Sequence, residues 1–363
     1  MRLAFHDFLD IALGGTILGT GGGGSHETAR HLAETVLKRK SVRVVPLDGV
    51  SDRAGVVSIA GMGSPEAMLK TPFTTEAVHA FDALRDDGGP APKYVVPLET
   101  SGFNFLTPMA VAASRSVQVI DADAAGRAIP RLNQTLFHAH HVPLAPLALA
   151  DARGRSIVVR ADEDALSEKA AIAALEHFGW SAGLACYPMV GKTVKRAAVP
   201  GTISLAHAVG RAVRLASLSH RDPVDAILPI TGGRLLVKGA VDRFDTETSG
   251  SYTFGNLEVL GKGLAAETRI KIKSMNENML AWKDGRLAAM APDRICFVTP
   301  DGRPTTNADI RVGDEIAVFL IGAQRNWRSK RAVDLFRPTL TAMGYDGPYV
   351  PMKSLHDAGR GLT

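Results

Sequence analysis

The sequence predicts an α/β protein with an N-terminal, mostly parallel sheet, flanking helices and a β-rich C-terminal domain. Three observations predict it. Short Val-rich apolar runs alternate with amphipathic stretches up to about residue 130. From Ala226 to Ala323 the pattern becomes short strands divided by Gly and Asp turns, which suggests a sandwich or barrel-like domain. The chain has 363 residues, 45% hydrophobic and 22% charged, enough for two cores.

Phe5, Phe8, Leu9 and Ala12 repeat at helical spacing, so the chain opens with a helix. The glycine cluster Gly19-Thr20-Gly21-Gly22-Gly23-Gly24 follows. Ser25 then stands as the N-cap of a second helix carrying Ala29, Leu32, Ala33, Val36 and Leu37. Runs 42–47 and 56–60 read as buried strands, 73–84 as helix, and 94–98 and 117–120 as strands with a helix near 108–113 between them. Runs 147–150 and 156–160 flank the hairpin-like turn at Asp151, and 166–178 and 203–218 are helical. The expected domains are 1–165 (ligand-binding, α/β) and 166–353 (β-rich, with two leading helices), with a tail at 354–363 that lacks apolar periodicity. No repeat or linker fixes the boundary, which is soft over 165–200.

The formal net charge is +5. That excess is modest, and its densest run, Lys38-Arg39-Lys40, falls at a helix end where cations suit the dipole. Nucleic acid is therefore not an expected partner, whereas a small anionic substrate is. Cys186 and Cys296 stand far apart, which implies no disulfide framework and points to reduced thiols in the cytoplasm. Charges interrupt residues 1–7, so no signal peptide is read there. No apolar stretch approaches the roughly 18 residues a membrane helix needs. Oligomeric state stays open.

The glycine loop is the strongest local signal. Gly19, Gly21 and Gly24 match G-x-G-x-x-G, but the residues before them read as helix, which is the wrong context for a dinucleotide fold. Bare N–H groups of Gly21, Gly22, Gly23 and Gly24 ahead of a helix still suit an anion; a tight helix–helix turn is the plainer reading. Polar clusters follow the next strands: Gly61-Met62-Gly63-Ser64-Pro65, Glu99 to Asn104, and Asp121 to Arg127. Ligands of open α/β sheets bind outside such strand ends, so Thr20, Asn104, Asp121 and Arg127 join the candidate substrate-binding set. The alternative is local capping, with Asp123 capping a helix and Arg127 pairing with Asp121. His138 and His140 face one side if their segment is extended, as two metal ligands would, with Cys186 as a third. Gly191-Lys192-Thr193 lacks the earlier glycine of a P-loop. The amides and carboxylate of Asn276-Glu277-Asn278 can read the edge of a cyclic ureide or imide, or simply form a turn.

These pieces, in their order and spacing, resemble the S-methyl-thiohydantoin desulfurase-like family, which is associated with hydantoinases. The matching residues are Leu18 to Gly24, Gly61 to Pro65, Glu99 to Asn104, Asp121-Ala122-Asp123, Gly126-Arg127-Ala128, Pro130, Asn276-Glu277, Pro292-Asp293 and Gly344-Tyr345-Asp346. Two departures stand out: Ser101-Gly102 replaces a glycine pair, and Arg131 replaces an acidic residue after Pro130. One carboxylate fewer and one guanidinium more favour a more anionic substrate. The resemblance implies a thiohydantoin or hydantoin-like ligand. Within the family, the desulfhydrase branch of ergothioneine breakdown is favoured, acting on a 2-thiohydantoin that bears a propionate.

Hydrolysis of a ring C=S needs attack at C2 and stabilisation of a thiolate-like intermediate. Zn²⁺, or a similar divalent transition metal, held by His138, His140 and Cys186, suits both tasks. Glu99 or Asp123 would then be the general base, the loop N–H groups would receive charge, and Arg127 or Arg131 would clamp the carboxylate. Alternatively, Cys186 attacks C2 directly. The rival readings are a non-catalytic partner of a hydantoinase-type enzyme and a nucleotide-binding protein.

Overall fold

A computed structural model of the chain describes residues 1–87, 91–249 and 251–355, with Pro65 and Glu66 described through their backbone. The N-terminal strands are β1 (Arg2–Leu3), β2 (Val42–Pro46), β3 (Gly55–Gly63), β4 (Pro92–Pro97), β5 (Gln118–Asp123), β6 (Leu147–Ala150), β7 (Ser156–Val159), β8 (Ser181–Val190) and β9 (Val199–Pro200). They form one sheet in the order β1-β2-β5-β4-β3-β8-β6-β7, with β9 beside β5. Its centre, β2-β5-β4-β3, is parallel, and the flanking β1, β8, β6 and β7 are antiparallel. Adjacent residues divide between two cores: Val44, Val57, Val95 and Val119 pack with Phe8 and Phe105. Val45, Val56, Val96 and Ile120 pack with Phe137 and Trp327 on the other face. Burial on both faces is why these strands read as continuous Val runs.

The second sheet contains β10 (Arg234–Ser249), β11 (Tyr252–Gly261), β12 (Arg269–Met275), β13 (Glu277–Lys283), β14 (Arg286–Met290), β15 (Arg294–Val298) and β16 (Glu315–Ile321). The order is β14-β13-β12-β11-β10-β16-β15, and every pairing is antiparallel. The sheet curls until β13 meets β15, where Asn278 Nδ2 donates to the Ile295 carbonyl at 2.9 Å. Along β15, Ile295 and Phe297 enter this sheet's own core. Cys296 and Val298 instead join the core of the first helix. The two domains therefore share apolar packing.

Several elements differ from the sequence reading. The first sheet continues beyond residue 165 through β8 and β9. Residues Pro223–Thr231 are a helix, started by an Asp222 side chain that accepts from Val224 N–H and by Pro223, so the strands begin at Arg234 and not near Ala226. The helix expected near 108–113 spans Gly102–Ser114, because Ser101 caps it by accepting from Asn104 N–H. Gly191-Lys192-Thr193 opens a helix, Gly191–Ala197. Of the tail at 354–363, residues 356–363 lie outside the described residues.

Candidate active site at the domain junction

The glycine loop leaves the first helix, Phe5–Leu18, and enters the helix His26–Leu32, which Ser25 caps. It is held from the C-terminal domain: Asn278 N–H donates to the Thr20 carbonyl and Asn307 N–H to that of Gly21, both at 2.8 Å. Glycine is needed here for close approach. A Cβ on Gly22 would lie 2.2 Å from Glu277 Oε1, and one on Gly23, at φ +77°, would lie 2.3 Å from Ser101 Cβ and 3.1 Å from Glu99 Oε1. The loop thus lies directly over two carboxyl groups from different domains.

Glu99 follows β4, and Glu277 opens β13; both are buried. Glu99 Oε1 accepts from Asn104 Nδ2 at 2.6 Å, and Oε2 accepts from Ile129 N–H at 2.7 Å. Burial pushes Glu99 up to about 7 against these two donors, and the neighbouring Asp123 adds to the rise. Glu277 is raised well above the usual carboxylate range, by burial first and by Glu99 second, while Arg127 and the Gly23 N–H oppose the rise. Its Oε2 is sealed and has no hydrogen-bond partner. Asp123, at the end of β5, accepts from Thr100 Oγ1 and from the N–H groups of Ala125 and Gly126. Burial nevertheless lifts it to about 6. Displaced carboxyl titrations at a domain junction are what acid–base chemistry requires.

Arg127 underlies this group as a tether. Its guanidinium donates to the carbonyls of Ala128, Asp293 and Asn278 and to Thr20 Oγ1, and it stacks on Phe336 at 5.3 Å. Burial lowers it to about 10 against the pull of Glu277, Cys296 and Asp293. With those donors engaged, Arg127 balances charge and ties the domains together; it is not laid out as a clamp for a free carboxylate. Arg131 differs. Its guanidinium stacks over Tyr252 at 5.2 Å, its Nε is buried without a partner, and among the described residues it makes no side-chain hydrogen bond. Burial raises the Tyr252 phenol, and Glu168, Arg131 and Glu277 all act on it; Arg131 also acts on Glu168.

The family model described as S-Me-THD-like, N-terminal domain, matches residues 6–161, and the one described as S-Me-THD-like, C-terminal domain, matches residues 161–352. This chain belongs to the S-Me-THD-like family. A crystal structure of a protein from Chromobacterium violaceum is similar to it, with a TM-score of 0.84 and 28% sequence identity over 97% of this chain and 100% of that one. Among curated proteins none matches.

Within this S-Me-THD-like fold, other expected site residues are engaged elsewhere. Asp121 does not pair with Arg127; its carboxylate accepts from Ser204 N–H at 3.0 Å and from Ser204 Oγ, in the first turn of the helix Thr202–Leu218. Asn104 positions Glu99 and accepts from Gly61 N–H at 2.8 Å. Asn276, at φ +56°, accepts from Thr253 N–H at 2.8 Å and so shapes the bend between β12 and β13. The histidine segment is not extended: Leu136–Ala139 is a helical turn capped by Thr135, with His140 at its end. His138 Nδ1 lies 2.6 Å from Asp164 Oδ2, whose other oxygen accepts from Leu144 N–H. Cys186 is sealed within β8 opposite Ser58, and burial pushes its thiol up, away from the thiolate. Among the described residues no group of His, Cys, Asp or Glu is disposed to hold a metal ion. His138, His140 and Cys186 therefore do not fit zinc.

Sequence reasoning missed Cys296, Arg294, Asn307 and Tyr252. Cys296 and Arg294 sit in an ordinary-looking strand, and only the curl of the second sheet brings Cys296 to the root of the loop. No helix among the described residues is long and apolar enough to cross a membrane.

Proposed function

We propose that this protein is a desulfhydrase that hydrolyses the C=S group of an anionic 2-thiohydantoin, such as one bearing a propionate, giving the hydantoin and hydrogen sulfide. The Glu99–Glu277 pair beneath the glycine loop carries the reading. Glu99, with half-titration near neutrality, accepts a proton from water as the oxygen adds to C2 and the C=S π pair moves onto sulfur. Collapse breaks the C2–S bond and leaves C2=O, the hydroxyl proton passing to the departing sulfur, and the proton held by Glu99 restores Glu277 after release. Glu277, whose carboxyl burial raises well above the usual carboxylate range, supplies one of the two protons with which sulfur departs as hydrogen sulfide. The net change is addition of one water and loss of one hydrogen sulfide. Such proton transfers typically contribute about 10²–10⁴-fold. Arg131, unpartnered over Tyr252, suits the anionic substituent.

Family membership supports the ring type. The loop argues against a nucleotide, because Glu99 and Glu277 would face the pyrophosphate. The test is sulfide release and hydantoin formation by the purified chain from the thiohydantoin propionate. A partner-subunit role predicts no release until a hydantoinase-type enzyme is added.

A further inference from the structure

We propose that Arg294 is a catalytic residue of this site, donating hydrogen bonds to the substrate sulfur as negative charge builds there. The inference rests on the desulfuration reading above for the identity of the anion, and on the structure alone for the existence of an anion site.

Arg294 is the first residue of β15 and only 5% exposed. Side chains alternate along a strand, so Arg294 shares its face with Cys296 and Val298, the face turned to the N-terminal domain. The Cys296 thiol reaches the Leu18 carbonyl at 4.0 Å, at the root of the glycine loop. Asp123 and Asp293 lie close enough to act on the Arg294 charge, but neither forms an ion pair with it. Asp123 is occupied by Thr100, Ala125 and Gly126. Asp293 is occupied by Ala323 N–H, Met352 N–H and Tyr349. Among the described residues the Arg294 guanidinium makes no hydrogen bond at all.

Arg127 shows what a structural arginine does in the same surroundings: it distributes its N–H groups over three carbonyls and a hydroxyl. A guanidinium in a residue only 5% exposed that makes no hydrogen bond within the protein is unfavourable, and an apolar residue of similar volume would be as stable or more so there. A buried donor left open in this way calls for a ligand acceptor. The ligand is an anion, and its place is deep: Arg294 shares its strand face with Cys296, whose thiol meets the Leu18 carbonyl at the root of the glycine loop, and Asp123 acts on its charge, whereas the substituent already has Arg131. The glycine loop is a poor alternative for the sulfur. Gly22 N–H donates to the Gly19 carbonyl, and Gly23 N–H faces Glu277. The delocalised, weakly hydrated guanidinium suits a large, soft thiolate.

The test compares wild type, Arg294→Met and Arg294→Lys by calorimetric titration with sodium hydrosulfide, by melting temperature and by turnover of the thiohydantoin propionate. Wild type should bind hydrosulfide, and Arg294→Met should not. Turnover in Arg294→Met should fall about a hundred- to thousandfold in kcat with KM little changed, the size expected for one lost anion-hole donor. Its melting temperature should hold or rise, and Arg294→Lys should recover part of both binding and turnover. Equal hydrosulfide affinity in wild type and Arg294→Met, no binding by wild type, or a melting temperature that drops in step with activity would each overturn the proposal. Arg294-dependent hydrosulfide binding without any sulfide release from thiohydantoin would leave the anion site standing and remove the desulfuration reading.

Discussion

The histidine segment at 138–141 and the junction beneath the glycine loop both present dense polar residues, yet they resolve their polarity in opposite ways. At His138 the ionisable groups find partners: His138 meets Asp164, Asp164 also accepts from Leu144 N–H, and Thr135 caps the turn, while the neutral Gln134 Oε1 and Ser167 Oγ are left without one. At the junction they are left over. Glu277 Oε2, Asn307 Oδ1 and Arg131 Nε are sealed without partners, and three carboxyls are driven upward by burial. Local satisfaction belongs to a scaffold, whereas unsatisfied buried polarity is what a ligand completes.

Substitution at the junction should give the largest effect. Glu99→Gln keeps the shape and removes the base, so sulfide release should fall about 10²–10⁴-fold. In wild type, activity should rise with pH through about 7, as Glu99 ionises, and that rise should vanish in the variant. Stability runs the other way. From ordinary values of 4.5 and 3.8, Glu99 and Asp123 are raised to about 7 and about 6. Between those limits the folded chain holds protons that the unfolded chain has released, so the denaturation midpoint should fall as pH rises from about 4 to about 7 and then level off. A midpoint that climbs over this window would mean these carboxyls are ionised throughout.

The two central glycines sharpen the comparison within the junction itself. Gly22→Ala overlaps the buried Glu277 side chain as far as Cγ, so activity should fall about tenfold or more, with a crowding cost of about 1–3 kcal/mol in stability. Gly23→Ala must adopt a left-handed conformation against Ser101, and should lose about 1–2 kcal/mol of stability from the conformation alone. Identical loss of activity and melting temperature in both variants would reduce the loop to a turn. The smallest effect is expected at the histidines. His138→Ala together with His140→Ala should leave sulfide release within a few-fold of wild type. Loss of activity together with a bound metal in that double variant would reverse the contrast between the two regions.

Why some of this could be read ahead and some could not is a matter of range. The helix ending at the glycines, the Val-rich parallel strands and the hairpin at Asp151 are set by local periodicity and turn chemistry, which act over a few residues. Glu99 and Asp123 could be singled out because polar residues just after parallel strands collect at one edge of the sheet. The same reasoning misplaced Asp121 and Arg127. Whether a carboxylate meets Ser204 or a guanidinium meets Asn278 depends on residues 83 and 151 positions away. The histidines misled because alternation was assumed where Thr135 instead starts a helical turn.

What the sequence by itself determined is the two-domain α/β class, the glycine loop between two helices and the family, since each is written in short-range pattern. Only the tertiary structure decided which charges stand unanswered. The curl of the second sheet brings Glu277 under Gly22 and the Cys296 thiol to the root of the loop, with Arg294 two residues before it on the same strand face. Burial there raises the carboxyls, Glu99 to about 7 and Glu277 well above the usual carboxylate range. Desolvation depends on everything packed around a group, and that environment is assembled from both ends of the chain.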